Sequence, residues 1–172
     1  MTAEHGQAVG AAQWSPDVLG AGFEQLTMTL TPDDEGAVTA TLVRRVPKLT
    51  DPPDSGIDVL YLHGWSDYFF QIELADFFAA LGIGFYAVDL RKYGRSRLPE
   101  QTPGFVADLA TYDEDLAAAL AVMGHDGTNA SPRKLTSTGV RSVVSVRHRP
   151  GSTPSCAVRP GSRRGWTSRC RS

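Results

Sequence analysis

Two short runs of almost unbroken apolar character, Ile57–Leu62 (IDVLYL) and Ile83–Leu90 (IGFYAVDL), most narrowly limit what this chain can fold into. A strand with one wet face alternates apolar and polar residues. A strand that is apolar at successive positions is buried on both faces, the pattern of a parallel sheet covered by helices. Between the two runs, Tyr68–Leu81 places Phe69, Phe70, Ile72, Leu74, Phe77, Phe78 and Leu81 at helical spacing, with Gly82 as the stop. The four phenylalanines are expected in the core. Strand, helix and strand in this order imply a crossover unit.

The flanking segments extend that unit. Phe23–Thr31 alternates, Pro32–Gly36 carries turn residues, and Ala37–Val46 is rich in β-branched residues, which together predict a hairpin. After the second apolar run come a loop at Arg91–Arg97 and an Ala/Leu-rich helix over Phe105–Met123, stopped by Gly124. Asp113, Glu114 and Asp115 read as a solvated helix start. Asp126–Arg133 reads as a loop, and Lys134-Leu135-Thr136 as the opening of a further strand. Residues 1–22 are expected to form a flexible arm. The fold class is therefore α/β, a sheet wound partway.

Charge divides the chain. Residues 1–126 hold 7 basic and 19 acidic groups, a net of −12, whereas 127–172 hold 10 basic groups and no carboxylate, a net of +10. With 41% hydrophobic residues the chain can build a core, so the basic end is expected to be an irregular, disordered tail over 137–172. Cys156 and Cys170 both lie there without a partner at metal-ligand spacing, so no metal site is expected. No apolar run approaches the roughly 18–20 residues that span a bilayer. The start, MTAEHGQAVGAAQW, lacks a basic region followed by a long apolar stretch, and a cytoplasmic setting is expected.

Four segments together carry a family resemblance: VLYLHGWSDYFFQ (Val59–Gln71), FYAVDLRKYGRS (Phe85–Ser96), LPEQTPGFVADLATYDEDL (Leu98–Leu116) and the strand opening at Lys134. Over about 23–136 the chain resembles the α/β-hydrolase superfamily, in particular its serine aminopeptidase and lysophospholipase-like branch. The resemblance implies a partial α/β-hydrolase fold, truncated near the fifth strand. It implies that the turn His63-Gly64-Trp65 forms part of an oxyanion hole, with Trp65 N–H as first donor, Gly64 permitting the turn and His63 structural. It gives Asp89, Arg91, Gly94 and Ser96, the Asp-x-Arg-x-x-Gly-x-Ser motif, a role in bracing the loops. Ser96 lies in GRSRL, outside a G-x-S-x-G elbow, and is not expected to be a nucleophile. Hydrolysis of a small-molecule or lipid ester, without cofactor, is the implied activity.

The chain contains no G-x-S-x-G, and His5, His125 and His148 fall in arm, loop and tail, so no catalytic Ser, Asp and His set is present as written. Residues 137–172 admit three readings: a basic tail that binds nucleic acid, a genuine alternative C-terminus, or a frame-shifted translation. The genetic code bears on the third. Taking each new codon as the last base of one residue and the first two of the next, Thr138/Gly139 can read Gly, Val140/Arg141 can read Ser and Ser142/Val143 can read Gly. In the same phase Pro150–Cys156 can read R-L-D-A-L-V and Arg159–Ser162 can read P-W-L, both similar to the family. The Ser needs GTT for Val140 and the Trp needs CCT for Pro160. Rival functions are a non-catalytic hydrolase-fold binding protein and a basic-tailed nucleic-acid binder; the tail's lack of aromatics apart from Trp166 weighs against nucleic acid. A relative with an Asp nucleophile, such as an epoxide hydrolase or dehalogenase, would be distinguished at the elbow.

Overall fold

The computed structural model describes residues 13–125 and 133–139. The remainder of the arm (1–12), most of the 126–133 loop and 140–172 of the tail lie outside the described residues. Strands β1 (Ser15–Pro16), β2 (Phe23–Asp33), β3 (Gly36–Arg45), β4 (Ile57–Leu62), β5 (Gly84–Asp89) and β6 (Lys134–Gly139) form one sheet. Helix α1 (Ile72–Ala79) joins β4 to β5, and helix α2 (Tyr112–Val122) lies between β5 and β6. The sheet order is β1-β2-β3-β5-β4-β6. The β1–β2, β2–β3 and β3–β5 pairs are antiparallel, and β4 is parallel to both β5 and β6. A hairpin followed by parallel strands with helices is the partial α/β-hydrolase arrangement that the sequence predicts.

The apolar runs are buried on both faces, as their composition requires. Val59 and Tyr61 of β4 join Phe23, Val43, Phe85, Phe69 and Ala75 on the α1 side. Leu60 and Leu62 join Leu26, Met28, Leu42, Val88, Leu116 and Ala119 on the α2 side. The two helices thus cover opposite faces of the parallel strands.

Several boundaries differ from the sequence reading, each for a physical reason. Residues 13–22 do not stand off as an arm: Ser15 and Pro16 pair with Gln25 and Glu24, and Asp17 is buried in an ion pair with Arg95. The helix expected from Tyr68 starts at Ile72, because Phe69 has both backbone groups engaged elsewhere. Its N–H donates to Asp89 at 2.9 Å and its carbonyl accepts from Arg95 at 2.9 Å. The helix expected from Phe105 starts at Tyr112, after a 3-10 turn at Leu109–Thr111 capped by the Asp108 carboxylate on Ala110 N–H. Phe69 is fully buried, but Phe70 and Phe77 are 52% and 58% exposed rather than in the core. Asp115 is not solvated; it is fully buried against Arg91. β6 runs to Gly139, three residues into the segment assigned to the tail.

Candidate functional site

Register places the site. Leu62, the last residue of β4, lies opposite Val88 of β5 on one side and Gly139, the last of β6, on the other. Three parallel strands therefore end at one level, with helices on opposite faces. In open α/β sheets the crevice beyond the carboxyl ends of such strands is where ligands bind. His63-Gly64-Trp65 emerges from the central strand into that position.

His63 is 5% exposed and held at both ring nitrogens. Nε2 accepts from Leu90 N–H at 3.0 Å, and Nδ1 therefore donates to the Gly64 carbonyl at 2.8 Å. Both ring nitrogens are thereby used in tying the ends of β4 and β5 together. Among the described residues no acceptor meets Trp65 N–H. The next residue, Ser66, adopts a left-handed φ of 58°. The indole of Trp65 is 77% exposed and sits edge-on to Tyr93, with ring centroids 6.2 Å apart.

Of the Asp-x-Arg-x-x-Gly-x-Ser residues, Gly94 and Ser96 gather at Asp89, whereas Arg91 turns away. Asp89, fully buried, accepts from Phe69 N–H through Oδ1 and from Arg95 N–H and Nη1 through Oδ2. Arg95 also donates twice to Asp17, at 2.6 and 2.9 Å. Arg91 turns to the other face, with Nε 3.0 Å from Asp115 and Nη2 2.6 Å from Glu114. Glu114 in turn accepts from the backbone and hydroxyl of Thr31, so Arg91 links β5, α2 and β2. Gly94 takes φ 44°, and a Cβ there would stand 2.5 Å from both Asp89 Oδ2 and Tyr68 Cβ. Only glycine lets that loop close over the Asp89 carboxylate. Ser96 is fully buried, its hydroxyl donating to the Asp89 carbonyl at 2.6 Å.

Burial and pairing act in opposite directions on these charges. Burial pushes the Asp115 carboxyl up to about 6, against the pull of Arg91. For Arg91, burial works against the charged form, but its hydrogen bonds to Asp115 and Glu114 outweigh it and raise the pKa. Lys92, 1% exposed with a left-handed φ of 62°, places Nζ 2.6 Å from both Asp33 and Glu35 at the hairpin tip.

Sequence reasoning missed Arg95, Asp17 and Tyr93. Arg95 occupies one of the motif's unspecified positions, and Asp17 lies 72 residues before Asp89 in a segment without periodic pattern. Nothing in the sequence marks either as a partner of Asp89.

No family model and no curated protein matches the chain. Solved structures do. An epoxide hydrolase from an endophytic Streptomyces is 22% identical with a TM-score of 0.43, over 67% of this chain and 29% of its own. A cold-adapted esterase from an Arctic intertidal metagenomic library, solved with bound PEG, is 20% identical with a TM-score of 0.43, over 74% and 53%. An acetyl xylan esterase from Paenibacillus sp. R4 is 18% identical with a TM-score of 0.41, over 74% and 44%. The chain spans less than two thirds of the length of each of these solved structures. Among the described residues no helix is long and apolar enough to cross a membrane.

Proposed function

We propose that this chain is the oxyanion-binding half of a serine hydrolase of the lysophospholipase and serine aminopeptidase kind, acting on the ester or acyl bond of a small molecule or lipid. Residues 23–136 form the half-domain, and the basic segment 137–172 is a frame-shifted translation of the start of the other half. One observation carries the reading: the parallel register of Leu62 with Gly139. It brings the end of β6 level with the end of β4, from which the His63-Gly64-Trp65 turn emerges. In the shifted frame Thr138–Val143 can read G-x-S-x-G, with the serine at Val140/Arg141 if Val140 is encoded by GTT. A nucleophile one step beyond β6 and an N–H donor one step beyond β4 would stand on adjacent strand ends, as acyl transfer requires. Trp65 N–H supports the oxyanion role in that it meets no acceptor among the described residues. As written, the chain supplies that donor alone and hydrolyses nothing.

The test is the DNA between the codons for Lys134 and the stop, with a kilobase beyond. Expected are GTT at Val140, CCT at Pro160 and a one-base correction that opens downstream Asp and His. The corrected chain should release p-nitrophenol from short acyl esters and label with a fluorophosphonate, whereas the 172-residue chain should do neither. Other codons at both positions, or a corrected chain that neither turns over nor labels, would overturn the proposal.

A further inference from the structure

We propose that Tyr93 is the positioning residue of the oxyanion turn, a wedge that fixes the direction of Trp65 N–H; this rests on the function proposed above. Its ring is 8% exposed and lies 4.7 Å from His63 and 6.2 Å from Trp65, centroid to centroid, so it touches both ends of the His63-Gly64-Trp65 turn. Behind it stands Gly104, which donates its N–H to the Lys92 carbonyl at 3.0 Å. A Cβ on Gly104 would lie 2.5 Å from the Tyr93 hydroxyl oxygen and 2.6 Å from Cζ, so the ring has no room to retreat. Lys92, just before the wedge, is anchored through Nζ to Asp33 and Glu35.

Backbone strain falls on the same contact. Among the described residues only Ser66 and Lys92 are non-glycine residues with positive φ, at 58° and 62°. One follows Trp65 and the other precedes Tyr93. Left-handed backbone at such residues is strained and persists only where the surroundings enforce it. Here both strained residues flank one ring–ring contact between the loops after β4 and β5. An aromatic that only filled the core would not need its own backbone and its partner's to be held this way. The arrangement holds a backbone donor in place before substrate arrives, which is how such donors stabilise developing charge without reorganisation.

The test has two arms. In the 172-residue chain, Trp14→Phe and Trp166→Phe leave Trp65 as the sole tryptophan. Time-resolved fluorescence anisotropy at sub-micromolar concentration should show a slow, restrained indole with Tyr93 or Tyr93→Phe and a large fast component with Tyr93→Leu. Gly104→Ala, which pushes the ring from behind, should produce the same loosening if Tyr93→Leu fails to fold. In the frame-corrected chain, Tyr93→Leu should lower kcat about tenfold with KM unchanged, and Tyr93→Phe should restore it, the pattern of an interaction made in the transition state. An unchanged anisotropy decay in both loosening variants overturns the wedge, and so does a rise in KM at constant kcat. A corrected chain inactive with Tyr93 intact removes the proposed function instead, and the anisotropy arm then decides the wedge alone.

Discussion

At the scale of single residues, each buried cation is shared between two carboxylates, and each such cluster predicts its own failure. Arg95 is the shared partner of Asp17 and Asp89, whose side chains have no solvent exposure. Removing one partner of a buried pair leaves an uncompensated charge, at a cost of about 3–5 kcal/mol. Arg95→Ala should therefore lower the unfolding free energy by that amount in urea titration, and Arg95→Lys, which cannot reach three acceptors at once, should recover only part of it. Titration gives a second prediction with two opposing signs. Asp115 binds its proton more tightly when folded, with a pKa of about 6 against an ordinary 3.8. Its contribution to stability is full below the ordinary value and is lost as pH rises through 6. The Arg45 hydrogen bond, with help from Lys48 N–H, draws Asp51 down to about 2. Its contribution is full above the ordinary value and is lost as pH falls toward 2. Urea midpoints measured from pH 2 to 7 should show both slopes. Asp115→Asn should flatten the segment between pH 4 and 6, and Asp51→Asn the segment below pH 4.

At the scale of elements, helix α1 shows what periodicity reveals and what it does not. The spacing Phe69, Phe70, Ile72, Leu74, Phe77, Phe78 identifies a segment that packs on the sheet, and it does so. Which phenylalanines face inward depends on where the first turn begins, and that is set by Asp89 and Arg95 claiming the backbone of Phe69. Phe69→Ala should cost about 3–5 kcal/mol, as for other buried aromatics. Phe77→Ser should fall within about 0.5 kcal/mol of the parent, as for surface positions. Equal losses in a denaturation series would show that α1 is wrongly rotated. The parallel strands were legible for the same reason their faces are buried: Val59 and Tyr61 need apolar neighbours on one side, Leu60 and Leu62 on the other. Asp115 was not legible, because three consecutive acids at a helix start suit solvent equally well. Its burial follows from Arg91, in the loop after β5, meeting it, a contact 24 residues apart in sequence. For the same reason the turn at His63 could be read from its motif, whereas Tyr93, its support from another loop, could not.

At the scale of the whole molecule, both edges of the sheet are open among the described residues, but they differ in character. At the β1 side, Ser15–Pro16 covers only Glu24 and Gln25 of β2; beyond them β2 pairs with β3 alone, and its exposed Thr27, Thr29 and Thr31 are polar. At the other side β6, among the described residues, pairs with β4 alone, and its six residues include no proline. Leu135 is 40% exposed at that edge, and Phe70, Phe77 and Leu81 of the α1 region are each more than half exposed. A strand with one row of backbone groups unpaired and apolar side chains nearby is a template for another chain. The 172-residue product should therefore associate as its concentration rises, and association should run through β6 rather than through the hairpin. Two substitutions separate these edges. Leu135→Lys places a charge at the open edge and should raise the concentration at which light scattering begins. Thr29→Lys, at an already polar position of β2 beyond the two residues that β1 covers, should leave it unchanged. The frame-corrected chain should stay monomeric where the parent associates, since the strand after the elbow would cover β6, and its melt followed by circular dichroism should become cooperative and reversible. A monomeric, reversibly melting 172-residue chain would mean that this half of the sheet protects its own edge, and the search for function would then turn from catalysis to binding.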